Sequence, residues 1–305
     1  MYYFTASVPQ YDRIELRCTD SLENLSSAVK RNIWYKHESG PMSYNIWAPE
    51  IHYINQKWYV YYAAGEKDDI WKIRPYVLEC TGDNPMTDEW KECGPMLAPA
   101  NSIAFTDFSL DATVFEHQGR LYTIWAQKVG GQFGPSNLYI AEMESPIKIK
   151  HEPVLLSTPE YDWEKVGFHV NEGAAVIKNN GRIFVVFSAS STGVCYCMGL
   201  LEADENADLL DSKNWIKTAK PVLQTDHENG IYGPGHNCFT VDKQGNPLLI
   251  YHARFYTEID GDPLYDPNRH ALISPLHFDE NGRPILQHAS VVVPQKLRQY
   301  TPPQD

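Results

Sequence analysis

The sequence predicts an all-β chain folded as a five-bladed β-propeller, and three observations carry that expectation. Four stretches repeat one pattern: APEIHYINQKWYVYYAA, LDATVFEHQGRLYTIWAQ, NEGAAVIKNNGRIFVVFSAS and GHNCFTVDKQGNPLLIYHAR. Their first polar positions, Glu50, Asp111, Glu172 and His236, lie 61, 61 and 64 residues apart. A repeat of this order, with two strands and a tight turn in each copy, reads as a propeller blade. The second observation is composition within the copies: alternating, β-branched and aromatic residues broken by turn glycines at Gly119, Gly181 and Gly245 read as hairpins. The third is that no stretch offers a long amphipathic helix.

The elements follow in order. The second strand of each hairpin ends near an alanine: Ala63, Ala126, Ala189 and Ala253, with a fifth copy in YYFTAS at Ala6. Each hairpin leads to a third strand: RIELRCT (13–19), YVLEC (76–80), NLYIAEM (137–143), YCMGLLEA (196–203) and HALISPLHF (270–278). Fourth strands are fainter, in WKECGPML (90–97) and WIKTAKPVLQ (215–224). The polar start of each copy precedes its alanine by 13 to 17 residues, so the position matching Ala6 falls before Met1. The innermost strand of the first blade is therefore expected to be missing from residues 1–305, which are read as a single propeller domain.

Composition narrows the function. The chain is 43% hydrophobic and 21% charged, the balance of a globular protein. A net charge of −13 argues against a nucleic-acid partner. No apolar run approaches the roughly 18–20 residues that span a bilayer, so no membrane association is expected. The segment MYYFTASVPQYDR lacks a basic start and an apolar core, and six cysteines show no metal-knuckle spacing. Those two features lead to an expectation of a cytoplasmic protein with free thiols. Repeated acids at one register position place several carboxylates around one axis, the arrangement that glycoside hydrolysis uses.

The motifs NIWAPEIHYINQKWYVYYAAG (45–65), FSLDATVFE (108–116), VNEGAAVI (170–177) and YGPGHNCF (232–239) give the chain its resemblance to glycoside hydrolase family 43. That family contains five-bladed-propeller α-L-arabinofuranosidases and β-xylosidases. YYFTASVPQYDRIELR, TPEYDWE and DPLYDPNRH look closest to the arabinofuranosidase branch. The resemblance implies hydrolysis with inversion by three acids. FSLDA makes Asp111 the acid that positions and tunes the proton donor, and VNEG makes Glu172 the general acid. The family's general base, an Asp on the first inner strand, has no counterpart within residues 1–305. Protonation is then available without water activation, and impaired turnover is expected. An anion such as Asp111 near Glu172 is expected to raise the Glu172 pKa and keep it protonated.

The resemblance also implies supporting roles. His236 is similar to a family histidine that faces a hydrated cation, calcium or sodium, in the central channel. Such an ion would be structural, since calcium prefers six to eight oxygens, and the chemistry itself requires no cofactor. Arg269 resembles the family arginine that reaches sugar hydroxyls, with Arg254 as its competitor. Trp47 and Phe108 are candidate apolar walls for the sugar ring, while Trp163 and Phe168 lie on the loop before the acid. Glu50 shares the register, but WAPE resembles a structural and pocket motif. Loops 226–236 and 255–269 are rich in Gly, Pro, Asp and Tyr, as expected for the rim of a pocket that takes a terminal sugar.

The expected substrate is a plant-derived arabinose- or xylose-containing oligosaccharide of arabinan or arabinoxylan origin. A β-xylosidase and a catalytically dead carbohydrate-binding propeller are the alternatives.

Overall fold

Residues 1–131 and 134–290 are described by the computed structural model, and their regular structure is strand. Helix is confined there to four 3₁₀ turns of three to six residues. The described residues divide into two compact units, 1–131 with 139–154 and 134–138 with 155–290.

The first unit begins with β1 (Tyr2–Ser7), β2 (Arg13–Thr19) and β3 (Val29–Tyr35), an antiparallel sheet in that order. Next come β4 (Tyr44–Ile54), β5 (Lys57–Glu66), β6 (Asp69–Cys80) and β7 (Trp90–Pro95), again paired in sequence order. A third sheet runs β11-β10-β9-β8, from β8 (Ser109–His117), β9 (Arg120–Lys128), β10 (Ser136–Ser145) and β11 (Lys148–Ile149). The short β12 (Val154–Ser157) pairs with β10.

In the second unit, β13 (Asn171–Asn179), β14 (Arg182–Ala189), β15 (Cys197–Asp204) and β16 (Ile216–Lys217) form one sheet. β17 (Tyr232–Val241), β18 (Pro247–Arg254) and β19 (His270–Pro275) form another, followed by the small hairpin of β20 (His277–Phe278) and β21 (Pro284–Ile285). These five successive meanders are five blades, and the fold class is the all-β five-bladed propeller. The strand β3 had no sequence signal of its own. It is mostly exposed, so it lacks the buried alternation by which the other strands announce themselves.

The tight turns follow from local chemistry. Asn55 and Gln56 both have positive φ (50° and 63°), as do Gln118–Gly119 and Asn180–Gly181. Two consecutive left-handed residues make the hairpin turn whose twist suits antiparallel strands. The β17–β18 loop is longer, and there the Asp242 carboxylate accepts from the amides of Gln244 and Asn246.

Burial explains why the second strand β5 carries few polar residues in its interior. Along β5, Tyr59 and Tyr61 enter one core with Val77, Trp125 and Tyr139. Val60, Tyr62 and Ala64 enter a different one with Ile14, Trp34 and Leu78. A strand with both faces covered loses the polar half of its alternation. In the second unit Phe184 and Val186 of β14 pack with Leu249, Tyr251 and Leu272.

Trp125 is fully buried, stacks on Tyr139 at 5.9 Å and donates its indole N–H to Gln127 Oε1 at 3.1 Å. Trp125→Ala is expected to cost about 3–5 kcal/mol, read as a lower urea midpoint at unchanged slope.

One backbone feature recurs in four blades. The first strand of each hairpin carries an extra residue against its partner, between Trp47 and Glu50, Leu110 and Thr113, Glu172 and Ala175, and Gly235 and Cys238. Within each bulge one residue is left-handed: Ala48 (φ 47°), Asp111 (φ 56°), Gly173 (φ 56°) and His236 (φ 47°). The repeat register is thereby corrected. Asp111 and His236 do match, but Glu172 stands one residue before its bulge position and Glu50 two residues after. Bulges re-aim side chains at the ends of strands, and here they turn those of the functional segments.

Candidate active site

In the first unit, Asp111 occupies the left-handed bulge position and is 3% exposed. Asp tolerates that conformation better than most residues. The segment leading to it is tied down by Gln127, whose Oε1 accepts from the Phe105 amide, the Ser109 hydroxyl and the Trp125 indole. Phe108 is half-buried, with the Lys128 ammonium 5.5 Å from its ring centroid.

Trp47 is buried against Tyr11, edge to face at 5.8 Å. Between Trp47 and Phe108 stands Trp71, 6.3 Å from the first ring and 6.5 Å from the second, and 51% exposed. Trp71 had no sequence signal because it sits at the start of a third strand, outside the repeat. Glu50 is half-buried and accepts from or pairs with His52 Nε2 at 2.9 Å.

In the second unit, Glu172 is the second residue of β13, after the fully buried Asn171. Asn171 donates to Glu164 Oε1 at 2.9 Å and accepts from the Ser157 hydroxyl at 2.7 Å. Glu164 is itself fully buried, held by Lys217 Nζ at 2.8 Å and by the amides of Glu160 and Tyr161. A buried carboxylate is tolerable when its oxygens are satisfied in this way. The network anchors the backbone from which Glu172 projects.

The Glu172 side chain is half-buried, and its Oε1 accepts a hydrogen bond from the Tyr196 hydroxyl at 2.8 Å. Tyr196 precedes β15, a stretch that the sequence marks only as a third strand. Gly173 follows the acid. A Cβ placed there would meet the His236 ring at 3.2 Å, and its φ is left-handed, so both space and backbone call for glycine. The His236 amide donates to the Ser188 hydroxyl at 2.7 Å.

The two arginines are told apart. Arg254 is 2% exposed and fully engaged: Nε on Asp266 at 3.0 Å, and its two terminal nitrogens on the carbonyls of Thr192 and Pro263 at 2.6 Å each. It clamps the 263–266 turn to the 190–195 loop. Arg269 is half-buried and donates to the Leu264 carbonyl at 3.4 Å.

Trp163 is turned into packing, with its N–H on the Ala219 carbonyl and its ring stacked on Tyr161 and Phe187. Phe168 is 67% exposed on the preceding loop. Among the described residues no three His, Cys, Asp or Glu side chains converge as a metal site. The residues at His236 therefore do not form a cation cage of their own, and no chemical step is assigned to an ion there.

A family model for "Glycosyl hydrolases family 43" matches residues 1–284. An "Extracellular exo-alpha-(1->5)-L-arabinofuranosidase" of Streptomyces avermitilis is 45% identical over 99% of this chain and 62% of its own length. One of the same name from Streptomyces chartreusis is 47% identical over 86% of this chain and 79% of its own. The chain thus spans less than two thirds of the first relative. A solved α-L-arabinofuranosidase from Lactobacillus brevis superposes with a TM-score of 0.88 at 48% identity, covering 94% of this chain and 90% of that one.

The extracellular names of both Streptomyces relatives overturn the expected cytoplasmic location. That expectation rested on the first dozen residues and on thiol count, and neither records where a chain acts.

Proposed function

This chain belongs to glycosyl hydrolases family 43, and we propose that it carries the site of an exo-acting, inverting α-L-arabinofuranosidase in a single catalytic propeller domain. The substrate class is oligosaccharide ending in an α-L-arabinofuranosyl residue, with the α-(1→5) linkage of arabinan favoured by the names of the Streptomyces relatives.

The observation that supports this most is Glu172. It is a half-buried carboxyl on an anchored strand, with one oxygen held by Tyr196, and is followed by a glycine that fits against the His236 ring. In this reading Glu172 protonates the departing glycosidic oxygen, and Asp111 carries the tuning role that the family resemblance gives it. Arg269 addresses sugar hydroxyls, and Phe108, Trp47 and Trp71 supply an apolar wall. The chemistry calls on no cofactor. In this reading no described residue is assigned as the general base, and a site working without one turns over about 10²–10⁴-fold more slowly than a complete three-acid site.

Release of 4-nitrophenol from its α-L-arabinofuranoside and β-D-xyloside tests the substrate. Preference for the arabinofuranoside is expected, and preference for the xyloside would replace this reading by the β-xylosidase one. Binding is separable from turnover. Trp71→Ala is expected to weaken α-(1→5)-arabinotriose binding by roughly 5–30-fold, the worth of about 1–2 kcal/mol of stacked apolar area. Titration calorimetry reads that loss without requiring hydrolysis.

A further inference from the structure

We infer that Tyr196 is a positioning residue for Glu172, which dictates which carboxyl oxygen carries the transferable proton. This inference rests on the reading of Glu172 as proton donor and extends it to a residue outside the three-acid set.

The geometry is specific. The Tyr196 hydroxyl donates to Oε1 of Glu172 at 2.8 Å. With Oε1 engaged as acceptor, the acid's proton resides on Oε2, the oxygen left to protonate the leaving group in this inference. As that proton leaves, negative charge grows on the carboxylate, and a hydrogen bond to a charged acceptor is stronger than one to a neutral acceptor. The Tyr196 contact therefore strengthens as the glycosidic bond breaks, and interactions that strengthen in the transition state are those that accelerate it.

The ring is held where this requires. Tyr196 is 1% exposed, and its face stacks on His252 with 4° between planes at 5.6 Å. Its edge fits against Gly235, where a Cβ would fall 2.0 Å from Tyr196 Cε1, so only glycine leaves room for the ring. Both His252 ring nitrogens are closed off from solvent, with no hydrogen-bond partner among the described residues. Burial, with Arg269, His236 and Arg254 nearby, holds the His252 pKa well below its ordinary value. His252 is thus a neutral flat surface behind the tyrosine rather than a competing charge. The charged and titratable groups acting on His252 include these three residues.

Tyr196→Phe keeps the ring, its stack and its fit to Gly235 while removing the hydroxyl. Two readouts test the inference on the full chain. In carbon-13 spectra of carboxyl-labelled glutamate, with Glu172→Gln giving the assignment, the Glu172 titration midpoint is expected to rise in Tyr196→Phe. The lost bond favoured the ionised form. In azide-supplemented turnover, phenyl α-L-arabinofuranoside is expected to slow by about 10-fold and the 2,4-dinitrophenyl substrate by much less, because a good leaving group needs little protonation.

An unmoved midpoint, or equal slowing of both substrates, would overturn the inference. Failure of the underlying reading looks different: Glu172→Gln would then leave phenyl arabinofuranoside turnover intact, whatever the carboxyl titration shows.

Discussion

Glu172→Gln is expected to slow cleavage of arabinofuranosides with poor leaving groups by about 10²–10⁴-fold, roughly 3–5 kcal/mol of barrier. The amide keeps the size of the side chain and can still accept from Tyr196, whose hydroxyl stands 2.8 Å from Oε1. What it removes is the proton. The loss should therefore follow the leaving group, large for phenyl and for α-(1→5)-arabinobiose and small for 2,4-dinitrophenyl. KM should change little, since the interaction lost belongs to the transition state. Steady-state rates across such a series, with azide supplying the nucleophile, read the slope directly. A uniform loss would indicate a disturbed fold in place of a missing acid.

Arg254→Met is expected to cause the largest loss of stability among single changes in the second unit. The guanidinium is buried and joins Asp266 to two backbone carbonyls on separate loops. Removing it strands the Asp266 charge, an effect worth about 3–5 kcal/mol, and a fall of roughly 10 °C in Tm follows for a domain of this size.

Acid should reveal the same pair. Burial pushes the Asp266 pKa up, but the Tyr256 hydroxyl, the Asn268 amide and Arg254 outweigh it and hold the carboxyl below its usual value of 3.8. A carboxyl depressed in the folded state contributes stability above its unfolded pKa and loses it as pH falls through the folded one. The contribution is therefore full above about pH 4 and fades below. Arg254→Met should flatten that acid limb in thermal melts recorded from pH 5 downward.

Much of the fold was legible because propeller blades repeat. Alanines at the ends of the second strands, turn glycines and alternating, β-branched and aromatic residues marked four hairpins, and the fifth copy at Ala6 proved to be β1. Register was less legible. Counting between polar residues equated Glu50 with Asp111 and Glu172, whereas the backbone equates Ala48, Asp111 and Gly173 through a shared left-handed bulge. The extra residue in each bulge leaves little trace in composition, since Ala, Asp, Gly and His all occupy it.

The supporting residues were hidden for a related reason. Tyr196 reaches Glu172 from the residue just before β15, two strands across the sheet from β13, and Trp71 meets Phe108 from another blade of its unit. Such contacts are made by tertiary pairing and have no fixed spacing along the chain. The commitment of Arg254 to Asp266 and two carbonyls is likewise a set of tertiary contacts without a fixed spacing.

The most direct measurement is turnover of 4-nitrophenyl α-L-arabinofuranoside by residues 1–305 in water and in molar azide, with the product anomer identified by proton NMR. Azide attacks the anomeric carbon, the glycosidic C–O bond breaks, and the Glu172 proton goes to the departing oxygen. The account predicts slow hydrolysis in water, a rise of about 10²-fold or more with azide, and the inverted β-arabinofuranosyl azide as product. Turnover in water that already equals the azide-supported rate would contradict it, because a base within these residues would then be completing the site.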